Sequence, residues 1–286
     1  MGTLFQIVVY AEDETAARVA MGRAFQRADE LDQKLSDYKQ DSELNRFCRS
    51  AFGTPIAVSD DLFQVVRTAI RISRQTDGAF DITLGPLTHL WREAKRLGRL
   101  PLQAEIVEAR KRTGFKNIQV DGRLKTLSLL KARMQLDLGG IAKGYAADQM
   151  LAVLFAGGIQ RALVAASGDI RVGEPPPGRT GWIIQLEQQT VELRNQAVST
   201  AGPAEQYFDA QGIRYSHIIN PKAGLGLTNG LTVSVIAPTG IMADGWDTAL
   251  AVLGKGGKNR FIKNVLGGRA IFFEPALHLG REGKLL

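Results

Sequence analysis

Apolar residues recur at helical spacing through much of the first half of the chain. Between Glu14 and Leu35, small and apolar side chains return every three or four positions, which predicts a long helix with one buried side. The side chains on that side are Ala17, Ala20, Ala24, Ala28, Leu31 and Leu35. A second amphipathic helix is predicted from Ser59, a residue type that favours helix N-caps, to Thr76. Further helices are predicted after the capping-box order Asp41-Ser42-Glu43-Leu44 and over 103–113, 141–155 and 241–253.

Strand-like segments open the chain and dominate its second half. They are predicted at 4–10, 162–166, 182–186, 191–194, 197–200, 215–219, 231–236 and 270–273, with a hairpin of strands 117–120 and 125–130. The segment from Asp77 to Pro86 is predicted to be a rigid loop and not a regular element, because a D-G turn opens it and Gly-Pro closes it. This order predicts an α+β fold with mixed or antiparallel sheets flanked by helices. We expect residues 1–286 to form a single domain, because the only candidate linker, 175–178, is too short to separate two.

The composition is that of an ordinary globular protein with an excess of positive charge. Of the 286 residues, 44% are hydrophobic and 23% are charged, and the formal net charge is +7. Because the basic residues form no long run and only 7% of the residues are aromatic, no nucleic-acid partner is expected. A small polyanionic ligand accounts better for the charge.

Cysteine content and hydropathy exclude several classes of protein. The single cysteine, Cys48, cannot form an internal disulfide or a cysteine-based zinc site. No run of about 18 apolar residues is present, so no transmembrane helix is predicted. The opening Met-Gly-Thr is not part of a charged n-region followed by an apolar h-region, so no signal peptide is recognised. We therefore expect either a protein that stays in the cytoplasm or one whose leader has been removed.

Candidate chemistry begins in the central segment QLDLGGIAKGYAADQM, residues 135–150. Asp137 is followed at once by Gly139 and Gly140, and then by a predicted helix that carries Lys143. Paired glycines let a backbone approach a ligand, and the free N–H groups of a helix start favour an anion, so the segment is typical of a phosphate-binding turn. It matches neither the Rossmann nor the P-loop pattern of glycines. A tight turn beside a surface lysine is the alternative interpretation.

A second candidate site lies at the start of the last long predicted helix. Asp247 and Thr248 follow Asp244 by three and four residues, so all three side chains share one face of that helix. Two carboxylates and a hydroxyl are ligands that suit Mg²⁺ or Ca²⁺ better than zinc or copper. The alternative is an acidic first turn that complements the helix dipole.

Two other positions have both a functional and a structural interpretation. His217 follows a strand-like run and precedes a turn, where an imidazole can act as a base facing a cleft. A hydrogen-bonded histidine in the core is the alternative. Phe80 lies in the loop after Asp77, and it either belongs to a ligand-binding loop or fills the core after a helix stop. The remaining histidines, His89 and His278, have no supporting neighbours in the sequence.

The short motifs occur in an order that resembles the ApbE family of flavin transferases. They are MGT at Met1, SDYxxDSEL at Ser36, DGAFDxTxGPL at Asp77, DLGGIAKGYAxD at Asp137, SGD at Ser167, YSHIINP at Tyr215 and ADxxDT at Ala243. The resemblance extends from the first residue to Gly254. It implies an ApbE-like domain and an enzyme, an FAD:protein FMN transferase, that moves FMN from FAD to a threonine hydroxyl of a target protein and releases AMP.

The resemblance also implies the residues of the site. FAD, as the substrate, is expected to contact Met1, Tyr38, Ala79, Phe80, Asp81, Asp137, Lys143, His217 and Ile218. Mg²⁺ is expected to be held by the backbone carbonyl of Gly140 together with Asp244, Asp247 and Thr248. In the expected reaction His217 accepts the proton of the threonine, while Asp244 and Thr248 act through the ion beside the pyrophosphate. The expected macromolecular partner is an acceptor flavoprotein subunit that carries the target threonine.

Several residues near the predicted base depart from the family pattern. Asn220 stands where the family usually has aspartate, and Lys222-Ala223-Gly224 stands for Arg-Thr-Gly. Ala201 lies where Thr-Ser-Gly is usual, and Ser167 replaces the first glycine of Gly-Gly-Asp. Loss of a carboxylate next to His217 is expected to weaken the orientation or the basicity of the imidazole.

Alternatives of function and of location stay open at this stage. A Mg²⁺-dependent FAD pyrophosphatase would use the same site with water and yield FMN and AMP, whereas a flavin-binding protein would hold FAD without turnover. The family resemblance implies a periplasmic or inner-membrane-associated protein, with membrane association only through a leader that this chain does not show. A cytoplasmic location is the alternative.

Overall fold

The computed structural model describes residues 2–202 and 207–274. Within these ranges the α-helices are α1 (Glu14–Leu35), α2 (Glu43–Arg49), α3 (Asp60–Gln75), α4 (Gly85–Arg96), α5 (Gln103–Arg110), α6 (Ala142–Ala156), α7 (Gly240–Leu253) and α8 (Lys258–Asn264). The strands are β1 (Phe5–Tyr10), β2 (Ile56–Ala57), β3 (Ile118–Asp121), β4 (Thr126–Leu129), β5 (Arg161–Ala166), β6 (Asp169–Val172), β7 (Trp182–Gln185), β8 (Thr190–Leu193), β9 (Ala197–Ala201), β10 (Tyr207–Ala210), β11 (Ile213–Ser216), β12 (Thr232–Ala237) and β13 (Arg269–Phe273). The predicted helices and strands are confirmed, with small shifts of their bounds.

Antiparallel pairing organises the described strands into one large sheet and three smaller units. The large sheet has six strands in the order β1-β5-β6-β9-β12-β13. A three-stranded sheet has the order β2-β4-β3, and β7-β8 and β10-β11 form two-stranded units. The predicted α+β class, with antiparallel sheets flanked by helices, is confirmed. That residues 1–286 form a single domain stays a prediction.

Small side chains bring the long helices close to one another and to the large sheet. The alanine side of α1 is buried as predicted, and it packs with Met150 and Leu154 of α6 against Val164 of β5. Because alanine carries no bulk beyond its Cβ, α6 can lie directly beside α1. On its other side α6 contacts α7, whose Trp246 is fully buried in the main hydrophobic core. The helix that follows the central segment is thus held on two sides.

The segment predicted to be a loop from Asp77 to Pro86 is partly helical. A short 3₁₀ turn covers Ile82–Leu84, and α4 begins at Gly85 with Pro86 in its first turn. Proline is tolerated there because the first N–H groups of a helix have no intrahelical acceptor. The loop prediction was therefore wrong from Ile82 to Pro86. No helix was predicted over the rest of α4. The elements β2, β6, β10 and α8 were not predicted either.

Candidate active site

One cavity gathers the described residues that the sequence singled out. Its volume is about 350 Å³, which is within the usual range for small-molecule sites. The predicted residues in its wall are Tyr38, Ala79, Phe80, Asp81, Asp137, Gly140, Lys143, His217, Ile218, Asp244, Asp247 and Thr248. Met1, also predicted to contact FAD, lies outside the described residues. The central segment and the start of α7 thus form one site, and the roles of the individual residues stay predictions.

Three buried carboxylates from two elements meet at the inner end of this cavity. Asp244 and Asp247 come from α7, and Asp169 is the first residue of β6. One oxygen of each lies within 4.8 Å of the others, and all three side chains are buried. We call this group the acid cluster. Asp169 was not among the predicted ligands, although the SGD motif that contains it had been noted.

One oxygen of each carboxylate of the acid cluster lies against a hydroxyl or a backbone N–H group. The hydroxyl of Ser199 on β9 lies against both Oδ1 of Asp169 and Oδ2 of Asp247. The backbone N–H of Gly144 donates to Oδ2 of Asp244 at 2.8 Å. A serine hydroxyl has a single proton, so it can serve only one of its two carboxylate neighbours at a time. Negative charge in the cluster is therefore only partly compensated by these donors.

One oxygen of the acid cluster has no hydrogen-bond partner at all. It is Oδ1 of Asp247, and it is buried. A buried carboxylate oxygen without a partner is costly, and such atoms often mark a missing ion or water. Three carboxylates are hard oxygen ligands of the kind that Mg²⁺ or Ca²⁺ accepts. The residues of this site therefore fit a divalent cation.

Lys143 supplies positive charge to the acid cluster. Its Nζ lies 2.8 Å from Oδ2 of Asp169 and 3.7 Å from Oδ1 of Asp244. It also donates to the carbonyl oxygen of Gly139 at 3.3 Å. Burial alone would lower the pKa of this ammonium, but the charges of Asp169 and Asp244 outweigh burial and raise the pKa above its ordinary value.

Burial and mutual repulsion make the carboxylates of α7 hard to ionise. Burial, together with the charge of Asp169, raises the pKa of Asp244 to about 7. Burial and the charges of Asp244 and Asp169 raise the pKa of Asp247 well above its ordinary value. Displaced pKa values of this kind are typical of functional sites, because a binding partner of opposite charge is needed to keep such groups ionised.

Gly140 packs against Thr248, as a shared ligand set requires. A Cβ atom at Gly140 would lie 2.9 Å from Oγ1 of Thr248 and 3.4 Å from the ring of Phe80. Glycine is therefore the residue that lets the central segment approach this hydroxyl. The contact brings two of the predicted metal ligands together, and their coordination of an ion stays a prediction.

The first turn of α7 is fixed by α6. Its own N-cap residue, Thr239, makes no side-chain capping bond. Asp148 of α6 supplies the cap instead, because its carboxylate accepts the N–H groups of Gly240 at 2.7 Å and Ile241 at 2.9 Å. A Cβ atom at Gly144 would lie 2.2 Å from the carbonyl oxygen of Gly240, so the two backbones are in direct contact. We call this contact the glycine crossing.

An arginine that the sequence did not single out occupies the other end of the cavity. The guanidinium of Arg92 lies 4.1 Å from the ring centroid of Tyr38, which is 64% exposed. Arg92 also pairs with Asp37, and with Asp137 at 3.5 Å. No sequence signal pointed to it, since the predicted loop ended at Pro86 and no helix was predicted over the rest of α4. His89 lies beside this group, with its Nε2 4.0 Å from Oδ2 of Asp37, a contact that its neighbours in the sequence do not indicate.

The loop that carries Phe80 serves the core and the cavity at once. Phe80 packs in the main hydrophobic core and also lines the cavity, so both interpretations of this residue describe part of its environment. The carboxylate of Asp81 accepts the N–H and the hydroxyl of Thr83 and the N–H of Phe115. These bonds fix the conformation of the loop at the cavity wall.

His217 lies at the surface of the cavity and not in the core. It follows the last residue of β11, its side chain is exposed, and it lines the cavity. The alternative of a buried core histidine is therefore wrong. Its neighbour Ile218 is buried and anchors the segment beside it. The position is one from which an imidazole can reach a bound substrate.

Comparison with known proteins relates this chain to one family. The sequence profile of the ApbE family matches residues 1–273. The FAD:protein FMN transferase of Salmonella typhimurium is 35% identical over 268 residues, which are 89% of this chain and 77% of that protein. The chain belongs to the ApbE family. The resemblance inferred from the motifs is thereby confirmed.

Solved structures of ApbE proteins have the same fold as this chain. The flavinyl transferase ApbE of Pseudomonas stutzeri, in its apo form, is 33% identical with a TM-score of 0.83, over 96% of this chain and 89% of that one. The ApbE protein of Thermotoga maritima is 28% identical with a TM-score of 0.85, over 96% of this chain and 94% of that one. The match therefore extends over nearly the full length of both chains.

Two departures from the ApbE pattern now have a structural description. Ser167 has a φ of +57°, in the left-handed region that favours glycine, which explains why glycine is usual at that position. The side-chain oxygen of Asn220 accepts the N–H groups of Lys222 at 2.9 Å and Ala223 at 3.2 Å. An aspartate could accept the same two bonds, so the turn after His217 is preserved in this ApbE chain.

Proposed function

We propose that the protein is a divalent-cation-dependent FAD:protein FMN transferase whose acceptor is a threonine hydroxyl of another protein. Membership of the ApbE family and the names of its relatives support the reaction class. The observation that supports the site is the meeting of the central glycine segment, the acid cluster and His217 in one cavity. Mg²⁺ is the proposed ion, since hard oxygen ligands favour it.

The proposed reaction breaks one phosphoanhydride bond and forms one phosphoester bond. The threonine oxygen attacks the phosphorus of the FMN half of FAD, and AMP leaves with the bridging oxygen. The imidazole of His217 would accept the threonine proton, and its exposed position at the cavity wall supports that assignment. Asp244 and Asp247 would hold the ion, with Asp169 as a further ligand suggested by the acid cluster.

A bound Mg²⁺ would neutralise charge on the pyrophosphate and help AMP to leave. The chain would do the rest by positioning. The Gly139-Gly140 turn and the start of α6 would approach the phosphates, and Phe80 and Tyr38 would line the flavin-binding part of the cavity. These roles are assigned from the cavity lining together with the family resemblance.

A product assay with purified protein, FAD, Mg²⁺ and a threonine-bearing acceptor protein tests the proposal. We expect flavinylated acceptor and one AMP per transferred FMN, with no reaction in EDTA. Free FMN plus AMP without labelled acceptor would identify a pyrophosphatase instead. Unchanged FAD that co-purifies with the protein would identify a flavin-binding protein without turnover.

Two substitutions test the assigned residues. Asp244→Asn is expected to abolish cation-dependent transfer, because it removes a charge from the acid cluster. His217→Ala is expected to retain FAD binding and to slow transfer by about 10²- to 10⁴-fold, the usual contribution of a positioned general base. Asp61→Asn is the control for Asp244→Asn, since Asp61 is also buried but lies in a separate ion-pair group with Arg27 and Lys34. Wild-type turnover in either test variant would remove that residue from the mechanism.

By resemblance to the family we also propose a periplasmic or inner-membrane-associated location. Over residues 2–202 and 207–274, no helix is both long and apolar enough to cross a bilayer. Fractionation of cells that express the full gene product tests the location. Recovery of the protein with cytoplasmic markers alone would contradict it.

A further inference from the structure

Lys143 pairs with two of the three carboxylates that could hold a divalent cation. Asp169 and Asp244 each have one oxygen held by another protein donor, the hydroxyl of Ser199 and the N–H of Gly144. The remaining oxygens, Oδ2 of Asp169 and Oδ1 of Asp244, are the two that face the Lys143 ammonium, at 2.8 and 3.7 Å. The oxygens left over for an ion are therefore the ones that the lysine now uses.

The ammonium satisfies the acid cluster only in part. The third carboxylate, Asp247, keeps its buried Oδ1 without any hydrogen-bond partner. A lysine on α6 reaches the cluster from one side, and its single charge faces three carboxylates. A divalent ion bound by one oxygen of each carboxylate would provide twice the charge and would also serve Asp247. The lysine is thus an incomplete substitute for such an ion.

Lys143 has room to leave the cluster without a change of fold. Its side chain keeps 26% of its surface exposed and lines the cavity, whereas Asp169 and Asp244 are 5% and 3% exposed. It lies in the first turn of α6, three residues after Gly140. A rotation about its flexible four-carbon stem would turn the ammonium from the carboxylates into the cavity beside that turn.

We propose that Lys143 is an exchangeable counter-ion of the metal site. Its ammonium balances the acid cluster before a divalent cation binds, and the arriving cation displaces it. The displaced ammonium then becomes available to a phosphate group of FAD in the same cavity. The exchange breaks and makes only non-covalent contacts. This inference rests on the proposed function, because it takes a divalent cation and a dinucleotide as the ligands.

The exchange has an unusual thermodynamic consequence. Because the ammonium competes with the ion for the same oxygens, removing Lys143 should strengthen cation binding in the absence of FAD. Removing it should also reduce the gain in FAD affinity that the cation produces. Part of that gain comes from the displaced ammonium, which contacts a phosphate of FAD once the cation has bound. An ordinary supporting residue of a metal site would have the opposite effect, because its loss lowers the affinity for the cation.

Calorimetric titration of the full chain with Mn²⁺ alone tests the first consequence. We compare wild type, Lys143→Met and the control Lys34→Met, where Lys34 pairs with the buried Asp61 at 2.7 Å outside the cavity. Methionine keeps the unbranched shape of the side chain, one heavy atom shorter, and removes its charge. We expect Lys143→Met to bind Mn²⁺ about tenfold more tightly than wild type, as one close competing charge warrants, and Lys34→Met to bind it as wild type does. Equal or weaker binding by Lys143→Met overturns the proposal.

A second measurement on wild-type protein separates displacement from simple repulsion and needs no variant to fold. Lysines are acetylated briefly with an N-hydroxysuccinimide ester, and the modified positions are quantified by mass spectrometry. We expect Mn²⁺ to increase the acetylation of Lys143 several-fold, further addition of FAD to suppress it, and Lys34 to remain unchanged. Acetylation of Lys143 that does not respond to Mn²⁺ overturns the proposal, even if its substitution alters affinity.

Failure of this inference is distinguishable from failure of the proposed function. Neither measurement uses an acceptor protein or a product assay. If Mn²⁺ displaces Lys143 but no flavinylated acceptor forms, the exchange stands and the transferase assignment falls. If the acceptor is flavinylated but Lys143 does not respond to Mn²⁺, the reverse holds.

Discussion

Arg92 joins three parts of the cavity wall that are far apart in the sequence. From α4 it reaches Asp37 and Tyr38 after α1 and Asp137 in the central segment. A guanidinium at 4.1 Å from the ring centroid of an exposed tyrosine fixes the ring plane by a cation–π contact. The Tyr38 end of the cavity is therefore oriented by a residue that need not touch a ligand itself.

Replacement of Arg92 by alanine should weaken FAD binding more than it slows transfer. Without the guanidinium, Tyr38 loses its orientation, and Asp37 and Asp137 repel each other across the opening. We expect the FAD dissociation constant, measured by flavin fluorescence quenching, to rise about tenfold, with the transfer rate at saturating FAD within about twofold of wild type. Arg96→Ala is the control, because Arg96 lies one turn later on α4 and pairs with exposed Glu93. Unchanged FAD affinity would contradict the assignment.

Site residues that are close together in the sequence could be predicted, whereas those on separate elements could not. Asp244, Asp247 and Thr248 were found because helical spacing alone puts them on one face. Asp169 lies on a strand of another part of the chain, and nothing in the spacing shows that β6 brings it to α7. Ser199 was missed for the same reason. Within the described residues, side chains that reach the site from separate elements can be assembled only after the fold is known.

At the scale of elements, the orientation of α7 is set by its neighbour. Asp148 caps the first turn of α7, and the N–H of Gly144 holds Asp244 one turn further along the same helix. Both contacts come from one face of α6. Arg171 in turn pairs with Asp148 at 3.0 Å and keeps the capping carboxylate in place. The two helices therefore carry the acid cluster as a unit.

Asp148→Ala should lower cation affinity as well as stability. Loss of an N-cap interaction costs about 1 kcal/mol of stability, and here it also frees the turn that precedes Asp244. We expect the Mn²⁺ dissociation constant from calorimetry to rise about tenfold, the equivalent of roughly 1.4 kcal/mol. The matched control is Asp13→Ala, which removes the N-cap of α1 far from the cavity and should leave Mn²⁺ affinity unchanged. Equal Mn²⁺ affinity in wild type and Asp148→Ala would show that the cap is structural only.

Most helices and strands could be predicted from the sequence. The wrong prediction at the start of α4 has a tertiary cause. Long helices such as α1 and α3 have a clear polar and apolar side, so their bounds follow from periodicity. By contrast, α4 begins with Gly-Pro, which indicates a break when its tertiary setting is unknown. A Cβ atom at Gly85 would lie 2.6 Å from the carbonyl oxygen of Gln135, so packing against the central segment selects glycine there. The helix therefore begins at Gly-Pro because of a contact with a residue distant in sequence, which the local sequence does not show.

For the whole molecule, the acid cluster makes stability depend on pH in a defined direction. The folded-state pKa of Asp244 is raised to about 7, and that of Asp247 is raised too, from ordinary values of 3.8. The folded protein therefore binds these protons more tightly than the unfolded chain does. The contribution of these groups to stability is present at low pH and is lost as pH rises from about 4 through about 7.

Asp247→Asn should therefore stabilise the cation-free protein at pH 8 more than at pH 5. The amide cannot ionise, so the variant avoids the cost of a buried charge that wild type meets at the higher pH. Melting temperatures are measured in EDTA for both proteins at both pH values. The difference between variant and wild type at pH 8, minus the same difference at pH 5, is the double difference, and it removes effects common to both proteins. Mg²⁺ should raise the wild-type melting temperature more at pH 8, because ligands must be deprotonated to bind it. A double difference of zero would show that Asp247 does not titrate in this range.

The order of the strands could not be read from the sequence. The first strand, β1, pairs with β5 across most of the first half of the chain. In the same sheet β9 lies between β6 and β12, although β7 and β8 separate it from β6 in sequence. Alternating patterns identify a strand but not its partner, since any strand with one apolar face satisfies the same rule. The sequence pattern predicts the strands, and the family resemblance implies the fold in which they are arranged.

The glycine crossing leaves the two helices no side chain through which their separation could be tuned. At Gly144 and Gly240 the spacing is that of two polypeptide backbones in contact, the shortest that a protein can have. Substitutions around the cavity opening can alter which molecules enter, but the distance between the helix that presents Lys143 and the helix that presents Asp244 is not open to gradual adjustment. A side chain at either glycine would push the two helices apart and so separate the residues that meet in the acid cluster.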